Sequence, residues 1–266
     1  MEEKEEKKIN SKTRKILNIV LESVIGVCMV SLFALTCFQL YLTTYLKPFW
    51  VDGQSMYPAL NYDAKNADGT RKDFIVGSIE GSFDIDCGVM DTHEKAINKI
   101  KRFDIVVTRY DESNTEYIKR IIGLPGETVE FINTGAGNEH NGDLYINGVY
   151  TTQPIDSKIV RNGKYYTKVY HLADNEYFVA GDNRIGFNSE DCRQEPGIEK
   201  NKERHIYKNY IKGKVVALTG KCKIRKNSET GANEPYEHKY HWPWFIKWNK
   251  FTGTLATWKR HKLKFK

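Results

Sequence analysis

Residues 117–132 read YIKRIIGLPGETVEFI, and this stretch decides the class of fold. The segments 117–122 and 128–132 are short and rich in β-branched and aromatic residues, which favours strands over helices. Pro125 and Gly126 stand between the two segments and are typical of a tight turn. The stretch therefore predicts two short strands joined by a turn.

The same pattern recurs on both sides of this stretch. Further predicted strands are 104–109, 144–146, 176–180 and 214–219. Glycine-containing turn signals separate them, at 125–126, 141–142, 147–148 and 181–183. The sequence thus predicts a mainly β domain. Residues 61–100 are more polar and predict a surface insertion, with a short helix near 92–99.

The composition excludes several classes of protein. Of 266 residues, 40% are hydrophobic, 28% are charged and 12% are aromatic, which argues against a disordered chain. Twenty glycines and seven prolines are too few for a fibrous chain. Five cysteines are too few for a disulfide scaffold. Cys87, Cys192 and Cys222 allow at most one intramolecular disulfide among them, and the sequence does not choose the pair.

An uncharged apolar segment lies near the N-terminus. Residues 23–46 contain no charged side chain, and 17 of these 24 residues are apolar or aromatic. As a helix they would be roughly 36 Å long, enough to cross a hydrocarbon core of about 30 Å. A cleaved secretory signal has a shorter apolar region and a small-residue cleavage site. The sequence therefore predicts a retained membrane anchor.

The flanking charges predict the orientation of this anchor. Residues 1–15 carry six Lys or Arg, whereas Lys47 is the nearby positive charge on the other side. Because positively charged flanks stay on the cytoplasmic side, residues 1–22 are predicted to be cytoplasmic and the chain after the anchor extracytoplasmic.

Four segments after the anchor carry residues suited to chemistry. They are VDGQSMYPAL (51–60), RFDIVV (102–107), YIKRIIGLPGE (117–127), and GDNR (181–184) followed by NSEDCR (188–193). Each segment alone is a weak signal, because Gly-x-Ser and Gly-Asp-Asn turns are common.

Together and in this order, the four segments resemble the bacterial signal peptidase I family of membrane-anchored serine proteases. The resemblance covers the anchor and residues 48–220, and it implies an antiparallel β catalytic domain that removes signal peptides from exported proteins. It implies Ser55 as nucleophile and Lys119 as general base. Ser189 matches a serine that orients the lysine, and Asp191 and Arg193 match a supporting ion pair. The Gly-Asp-Asn motif of the family is Gly181, Asp182 and Asn183.

Residue chemistry supports a serine–lysine pair independently. A serine hydroxyl needs a neighbouring base, and no histidine of the chain stands in a comparable motif. A lysine is a base only when neutral, and burial in apolar surroundings favours the neutral amine. Strand alternation puts Lys119 on the face of Tyr117 and Ile121 and turns Arg120 to the other face. A guanidinium does not lose its proton, so Lys119 is the candidate base.

The substrate-binding expectations also follow the resemblance. Gly53 leaves room for a substrate backbone, and it stands where some family members have a serine that donates to the oxyanion. The oxyanion hole is therefore expected to use the Ser55 N–H. The positions that line shallow apolar pockets for small residues in the family are Val51, Met56, Leu60, Tyr117 and Ile118 here. For Leu60 and Ile118, ordinary core packing is an equal alternative.

The chain departs from the family pattern at several positions. Phe103 replaces a glycine, Ala59 replaces a threonine, and Cys192 replaces the serine of Asp-Ser-Arg. Two extra residues separate Asn183 from Ser189. The changes at Phe103 and Ala59 are tolerable, whereas the changes near Ser189 motivate an alternative, an inactive scaffold or accessory in surface-protein or pilus assembly. A self-cleaving Ser–Lys regulator is disfavoured by the anchor and by the lack of a helix-turn-helix pattern.

Partners and domain limits complete the prediction. No metal or other cofactor is expected, because no cluster has ligand spacing. The expected partners are signal peptides of secretory pre-proteins, the lipid bilayer of the cell membrane and the secretion translocon, and no nucleic acid. The predicted domains are 1–22, 23–46, an extracytoplasmic protease domain 47–235 and a tail 236–266. This tail holds eight Lys or Arg, one Glu and four Trp, a net charge of +7 that equals the formal charge of the whole chain.

Overall fold

The computed structural model describes residues 11–62, 85–110, 115–135, 142–154, 166–184, 189, 191–193, 205–226, 228–229 and 233–240. The chain divides into two compact units, residues 1–46 and 47–266.

The first unit contains one long helix, α1 (Ser11–Tyr45), whose residues are not buried. Within the described residues it is the one helix long and apolar enough to cross a membrane. It begins twelve residues before the predicted segment 23–46, since residues 11–22, which include charged side chains, belong to the same helix, and Leu46 already belongs to the first strand.

The second unit is mainly β, as the sequence predicts. Its strands are β1 (Leu46–Trp50), β2 (Ile85–Asp91), β3 (Ile105–Thr108), β4 (Tyr117–Gly123), β5 (Thr128–Phe131), β6 (Leu144–Ile146), β7 (Val149–Tyr150), β8 (Lys168–His171), β9 (Glu176–Ala180), β10 (Ile206–Tyr207), β11 (Ile211–Lys226) and β12 (Asn233–Tyr240). Two short helical segments are α2 (Glu94–Ile97) and a 3₁₀ turn (Lys208–Tyr210).

The strands form two sheets. The larger sheet has the order β1-β2-β11-β3-β4-β9-β10, with β12 also paired to β11. The smaller sheet has the order β7-β6-β5-β8. In the larger sheet the β2–β11, β11–β3, β3–β4, β4–β9 and β9–β10 pairs are antiparallel, and so are the three pairs of the smaller sheet. The predicted antiparallel β domain is confirmed.

Strand β11 joins the parts of the larger sheet. It has 16 residues, far more than the predicted segment 214–219, and pairs with β3, β2 and β12 along its length. Register irregularities interrupt each of these pairings, and such bulges bend a strand and raise its local twist. A single bent strand can therefore pair with three neighbouring strands.

The prediction of a polar surface insertion over 61–100 is wrong for residues 85–91. These residues form β2, most of whose side chains are buried and which pairs with β11. A strand covered on both faces shows no polar–apolar alternation, and Asp86 and Asp91 lower its apparent hydrophobicity. The predicted short helix near 92–99 is confirmed as α2. Residues 63–84 lie outside the described part of the chain.

Candidate active site

The loop after β1 carries Ser55 and is fastened to β2 by one asparagine. Asn61, at φ +60°, donates from Nδ2 to the carbonyl oxygens of Val51 at 2.7 Å and Gly53 at 2.9 Å. Asp86 of β2 accepts from Asn61 N at 2.6 Å, and Asp86 N donates to Asn61 Oδ1 at 2.7 Å. These four bonds fix both ends of the loop and leave Ser55 half-buried between them.

Lys119 extends from β4 to this loop. Its Nζ lies 3.0 Å from Ser55 Oγ and 3.2 Å from the carbonyl oxygen of Ile118. The Tyr117 ring lies under the same nitrogen, 5.4 Å from ring centroid to Nζ. Lys119 is only 2% exposed, so its amine is held in a largely dehydrated site against the serine hydroxyl.

The adjacent residue, Arg120, has a different partner. Its Nε and Nη2 donate to the two carboxylate oxygens of Asp182 at 2.8 and 2.5 Å, and its Nη1 donates to the carbonyl oxygen of Phe103. Arg120 and Asp182 are both almost fully buried. A bidentate pair satisfies both charges, so Arg120 ties β4 to the turn after β9.

The Gly181-Asp182-Asn183 turn packs directly against the loop that carries Ser55, here called the serine loop. A Cβ on Gly181 would overlap both Ser189 Oγ and the carbonyl oxygen of Ser55, so only glycine fits there. Asn183 N donates to that same carbonyl oxygen at 3.0 Å, and Asn183 Nδ2 donates to the carbonyl oxygen of Gln54 at 3.2 Å. The turn therefore sets the position of the Ser55 backbone.

Ser189, Asp191 and Arg193 form a buried network beside this turn. Ser189 Oγ donates to Asp191 Oδ2 at 2.6 Å, and Gly181 N donates to the same oxygen at 2.8 Å. Arg193 donates from Nε and Nη2 to the two carboxylate oxygens at 2.9 and 2.7 Å. Burial opposes the charge of Asp191, but Arg193 and these hydrogen bonds outweigh it and lower its pKa from 3.8 to about 2.

The expected substrate-contacting residues divide into two groups. Val51, Met56 and Leu60 are at most 1% exposed and belong to one packed core with Phe49, Met90, Ile105, Val107 and Val215. Ile118 packs against the edge of this core. Gly53, Tyr117 and Ile118 are half-buried and reach the surface beside Ser55 and Lys119.

A protein-family model matches most of this chain. The family model described as signal peptidase, peptidase S26, matches residues 24–219. The chain belongs to the peptidase S26 family of signal peptidases.

Relatives within the signal peptidase family are moderately similar. A signal peptidase I of Bacillus amyloliquefaciens is 33% identical over 162 residues, which cover 57% of this chain and 66% of that protein. Signal peptidase I S of Bacillus subtilis (strain 168) is 33% identical over 164 residues, 59% of this chain and 71% of that protein. Another Bacillus amyloliquefaciens signal peptidase I is 30% identical over 207 residues, 75% of this chain and 89% of that protein.

One solved structure is also similar. The crystal structure of a signal peptidase I from Enterococcus faecalis V583 matches 44% of this chain and 96% of that chain, at 28% sequence identity and a TM-score of 0.32.

Three contributors to the site escaped the sequence reasoning. Asn61 and Asp86 are 25 positions apart, and no local pattern connects them. Arg184 follows the signal peptidase Gly-Asp-Asn motif and is buried; its Nε donates to the Gly181 carbonyl oxygen, and its Nη2 has no hydrogen-bond partner among the described residues. Burial and then the charge of Arg193 lower the pKa of Arg184 to about 9. An arginine directly after the Gly-Asp-Asn turn was the available sequence signal for this residue.

Proposed function

We propose that this chain is a membrane-bound endopeptidase that cleaves N-terminal signal peptides from exported pre-proteins after small residues. Ser55 is the nucleophile and Lys119 the general base. The observation that carries the proposal is the 3.0 Å contact between Lys119 Nζ and Ser55 Oγ in a site where the lysine is 2% exposed. Family membership supports the class of reaction.

The burial of Lys119 supports its role as a base. Removing an amine from water disfavours its charged form, and the contacts of Nζ include a hydroxyl, a carbonyl oxygen and an aromatic ring, which are neutral. The neutral amine accepts the Ser55 proton during attack on the substrate carbonyl and returns it to the leaving amine. The same amine then activates the water that hydrolyses the acyl-enzyme. Activity is therefore expected to rise with pH as the neutral fraction of Lys119 grows.

The backbone of the serine loop supplies the oxyanion contact in this mechanism. Within the described ranges, no backbone carbonyl oxygen accepts a hydrogen bond from Ser55 N–H. This donor is therefore available to the negative charge that develops on the substrate oxygen. Gly53 offers no side-chain donor. The Ser55 carbonyl is meanwhile held by Asn183 N, which fixes the direction of the neighbouring peptide groups.

Ser189 is proposed as a positioning residue rather than a base. Its hydroxyl donates to Asp191, so its lone pairs are directed away from that carboxylate and are suited to receive a proton of an amine. Asp191 and Arg193 fix the serine through an almost fully buried ion pair.

Small substrate side chains fit the packing beside the dyad. Gly53, Tyr117 and Ile118 form the accessible surface beside the dyad, whereas Val51, Met56 and Leu60 are packed in the core. A core already packed to this degree leaves only shallow space at the surface, which favours small apolar residues before the scissile bond.

The location of the substrate follows from the proposed topology. Residues 1–22 are cytoplasmic, α1 crosses the bilayer, and the β domain is extracytoplasmic. Ser55 follows the end of α1 by ten positions, so a nucleophile close to the outer membrane surface meets signal peptides that span the same bilayer. Confinement of both to one surface raises their effective concentration. The bilayer lipids and the secretion translocon are the proposed partners.

The test is cleavage of a pre-protein by the full chain in detergent. Ser55→Ala and Lys119→Ala are each expected to lower the rate at least about a hundredfold, because each removes a reacting group. Lys168→Ala, an exposed strand lysine of the smaller sheet, is the matched control and should cleave at the wild-type rate. Equal amounts of cleaved product from the wild type and both variants would contradict the assignment of Ser55 and Lys119 as the catalytic pair. No product from the wild type would favour the inactive scaffold.

A further inference from the structure

Two cysteines of the β domain lie side by side on neighbouring strands. Cys87 belongs to β2 and Cys222 to β11, and the register pairs Cys222 with Ile85 and Cys87 with Gly220. Residues two positions apart on a strand point to the same face, so both thiols lie on one face of the sheet as diagonal neighbours. They form a small buried core with Ile85, against which Tyr57 of the serine loop packs.

The thiols are in direct contact and shielded from water. Cys87 is 4% exposed and Cys222 is 1% exposed. A hydrogen bond with Cys87, followed by burial, raises the pKa of Cys222 well above its ordinary value. The Cys222 thiol is thus kept protonated in the folded protein, where it reacts slowly because only the thiolate is nucleophilic.

The remaining cysteines are placed elsewhere. Cys192 lies in the separate core shared by the two sheets, where its sulfur accepts from Val179 N at 3.3 Å. Cys28 and Cys37 are exposed on α1. Of the three pairings that the sequence leaves open, the structure therefore brings together one.

We propose that Cys87 and Cys222 are an oxidative modification site at which a disulfide joins β2 to β11. The oxidant is a disulfide-bearing thiol oxidant of the extracytoplasmic space. One cysteine thiolate attacks the oxidant's disulfide and forms a mixed disulfide, and the second thiolate displaces the oxidant's remaining sulfur. The two cysteines lose two protons and two electrons, and the oxidant gains them as two thiols. Only the physiological source of the oxidant depends on the proposed topology.

The bond forms as the domain folds, because the finished core excludes the oxidant. The two residues are 135 positions apart, so the cross-link restricts the unfolded chain strongly. It also fastens the strand that holds the serine loop, since Asp86 adjoins Cys87 and binds Asn61. Lys221, next to Cys222, bonds to the same Asp86 carboxylate at 2.6 Å.

The test uses the full chain in detergent, with Cys28→Ser and Cys37→Ser in every sample so that three thiols remain. The protein is refolded from urea with reduced and oxidised glutathione, alkylated, digested and mapped by mass spectrometry. We expect peptides containing Cys87 and Cys222 to be joined and one thiol, that of Cys192, to be alkylated. The Tm should exceed that of the dithiothreitol-treated protein by about 5–15 °C.

Single variants separate this pair from other pairings. Cys192→Ser should keep both the cross-link and the Tm difference, whereas Cys87→Ser and Cys222→Ser should lose both. Three alkylated thiols in the refolded parent protein that carries only Cys28→Ser and Cys37→Ser, a cross-link to Cys192, or a Tm difference that persists in Cys87→Ser would each overturn the proposal. None of these readouts depends on peptidase activity, so the proposed function can fail or succeed separately.

Discussion

At the scale of single residues, backbone conformation explains a departure from the signal peptidase pattern. Phe103 stands where that family resemblance places a glycine, and its φ is +70°, in the region that favours glycine. The Phe103 carbonyl accepts from Arg120, and its N–H donates to the Ile121 carbonyl at 2.8 Å. The ring packs against the core shared by the two sheets. Side-chain packing thus offsets a strained backbone.

Two substitutions separate these opposing effects. Phe103→Ala loses the packing and keeps the strain, so it should lower the free energy of unfolding by about 2–4 kcal/mol. Phe103→Gly loses the packing but relieves the strain, so it should be more stable than Phe103→Ala by about 1 kcal/mol. Urea unfolding followed by tryptophan fluorescence measures both values. If Phe103→Ala were at least as stable as Phe103→Gly, the backbone at residue 103 would not be strained.

At the scale of secondary-structure elements, the serine loop depends on β2. Asn61 contributes four hydrogen bonds that join the loop to itself and to Asp86, and its positive φ closes the turn. Gly88 of the same strand packs so closely on Phe49 and the Ala217 carbonyl that it has no room for a Cβ. Strand β2 is therefore a rigid support for the loop that carries Ser55.

Loss of the Asn61 side chain should affect stability and catalysis together. Asn61→Ala leaves buried polar groups unbonded and strains the backbone, so we expect about 2–4 kcal/mol lower stability and at least about tenfold slower cleavage. Asn147→Ala is the matched control: Asn147 also has a positive φ, 52°, and accepts one bond from Thr128 N at 2.8 Å, but it lies in the turn between β6 and β7 of the smaller sheet. That control should lose stability and keep its rate. Equal rate losses in both variants would argue against a specific role for Asn61.

At the scale of the whole molecule, the buried network around Asp191 links stability to pH. The lowered pKa means that the folded state favours the carboxylate, so the stabilisation is full above the ordinary pKa and is lost as pH falls from about 4 towards 2. A shift from 3.8 to about 2 corresponds to about 2 kcal/mol. Asp191→Asn should therefore be less stable than the wild type near pH 7, and this difference should shrink by about 2 kcal/mol towards pH 2. Urea midpoints at several pH values measure it, and a pH-independent difference would contradict the assignment.

The basic aromatic tail is a second feature of the whole molecule. Strand β12 continues through the predicted domain limit at 235 and ends at Tyr240, and residues 241–266 lie outside the described residues. We predict that these residues bind the membrane surface, with lysines at anionic headgroups and indole rings at the interface.

Vesicle binding tests this prediction on variants that lack residues 1–46. A variant that ends at Tyr240 keeps β12 and should co-sediment at least about tenfold less with phosphatidylglycerol-containing vesicles than one that ends at Lys266. High salt should reduce the difference, since the attraction is electrostatic. Equal co-sedimentation of the two variants would contradict the prediction that residues 241–266 bind the membrane surface.

The sequence by itself determined the features whose information is local. The apolar helix is visible as one uncharged run of sequence, and the short β-branched strands and the Ser55 and Lys119 motifs are each visible within about ten residues. Strand alternation alone separates Lys119 from Arg120. The tertiary structure alone decided the rest: β2 as a central strand, the Asn61–Asp86 bonds, the Arg120–Asp182 pair and the contact between Cys87 and Cys222. These pairs join residues 25 to 135 positions apart. Their partners are chosen by strand register and burial, which arise only when the whole chain folds.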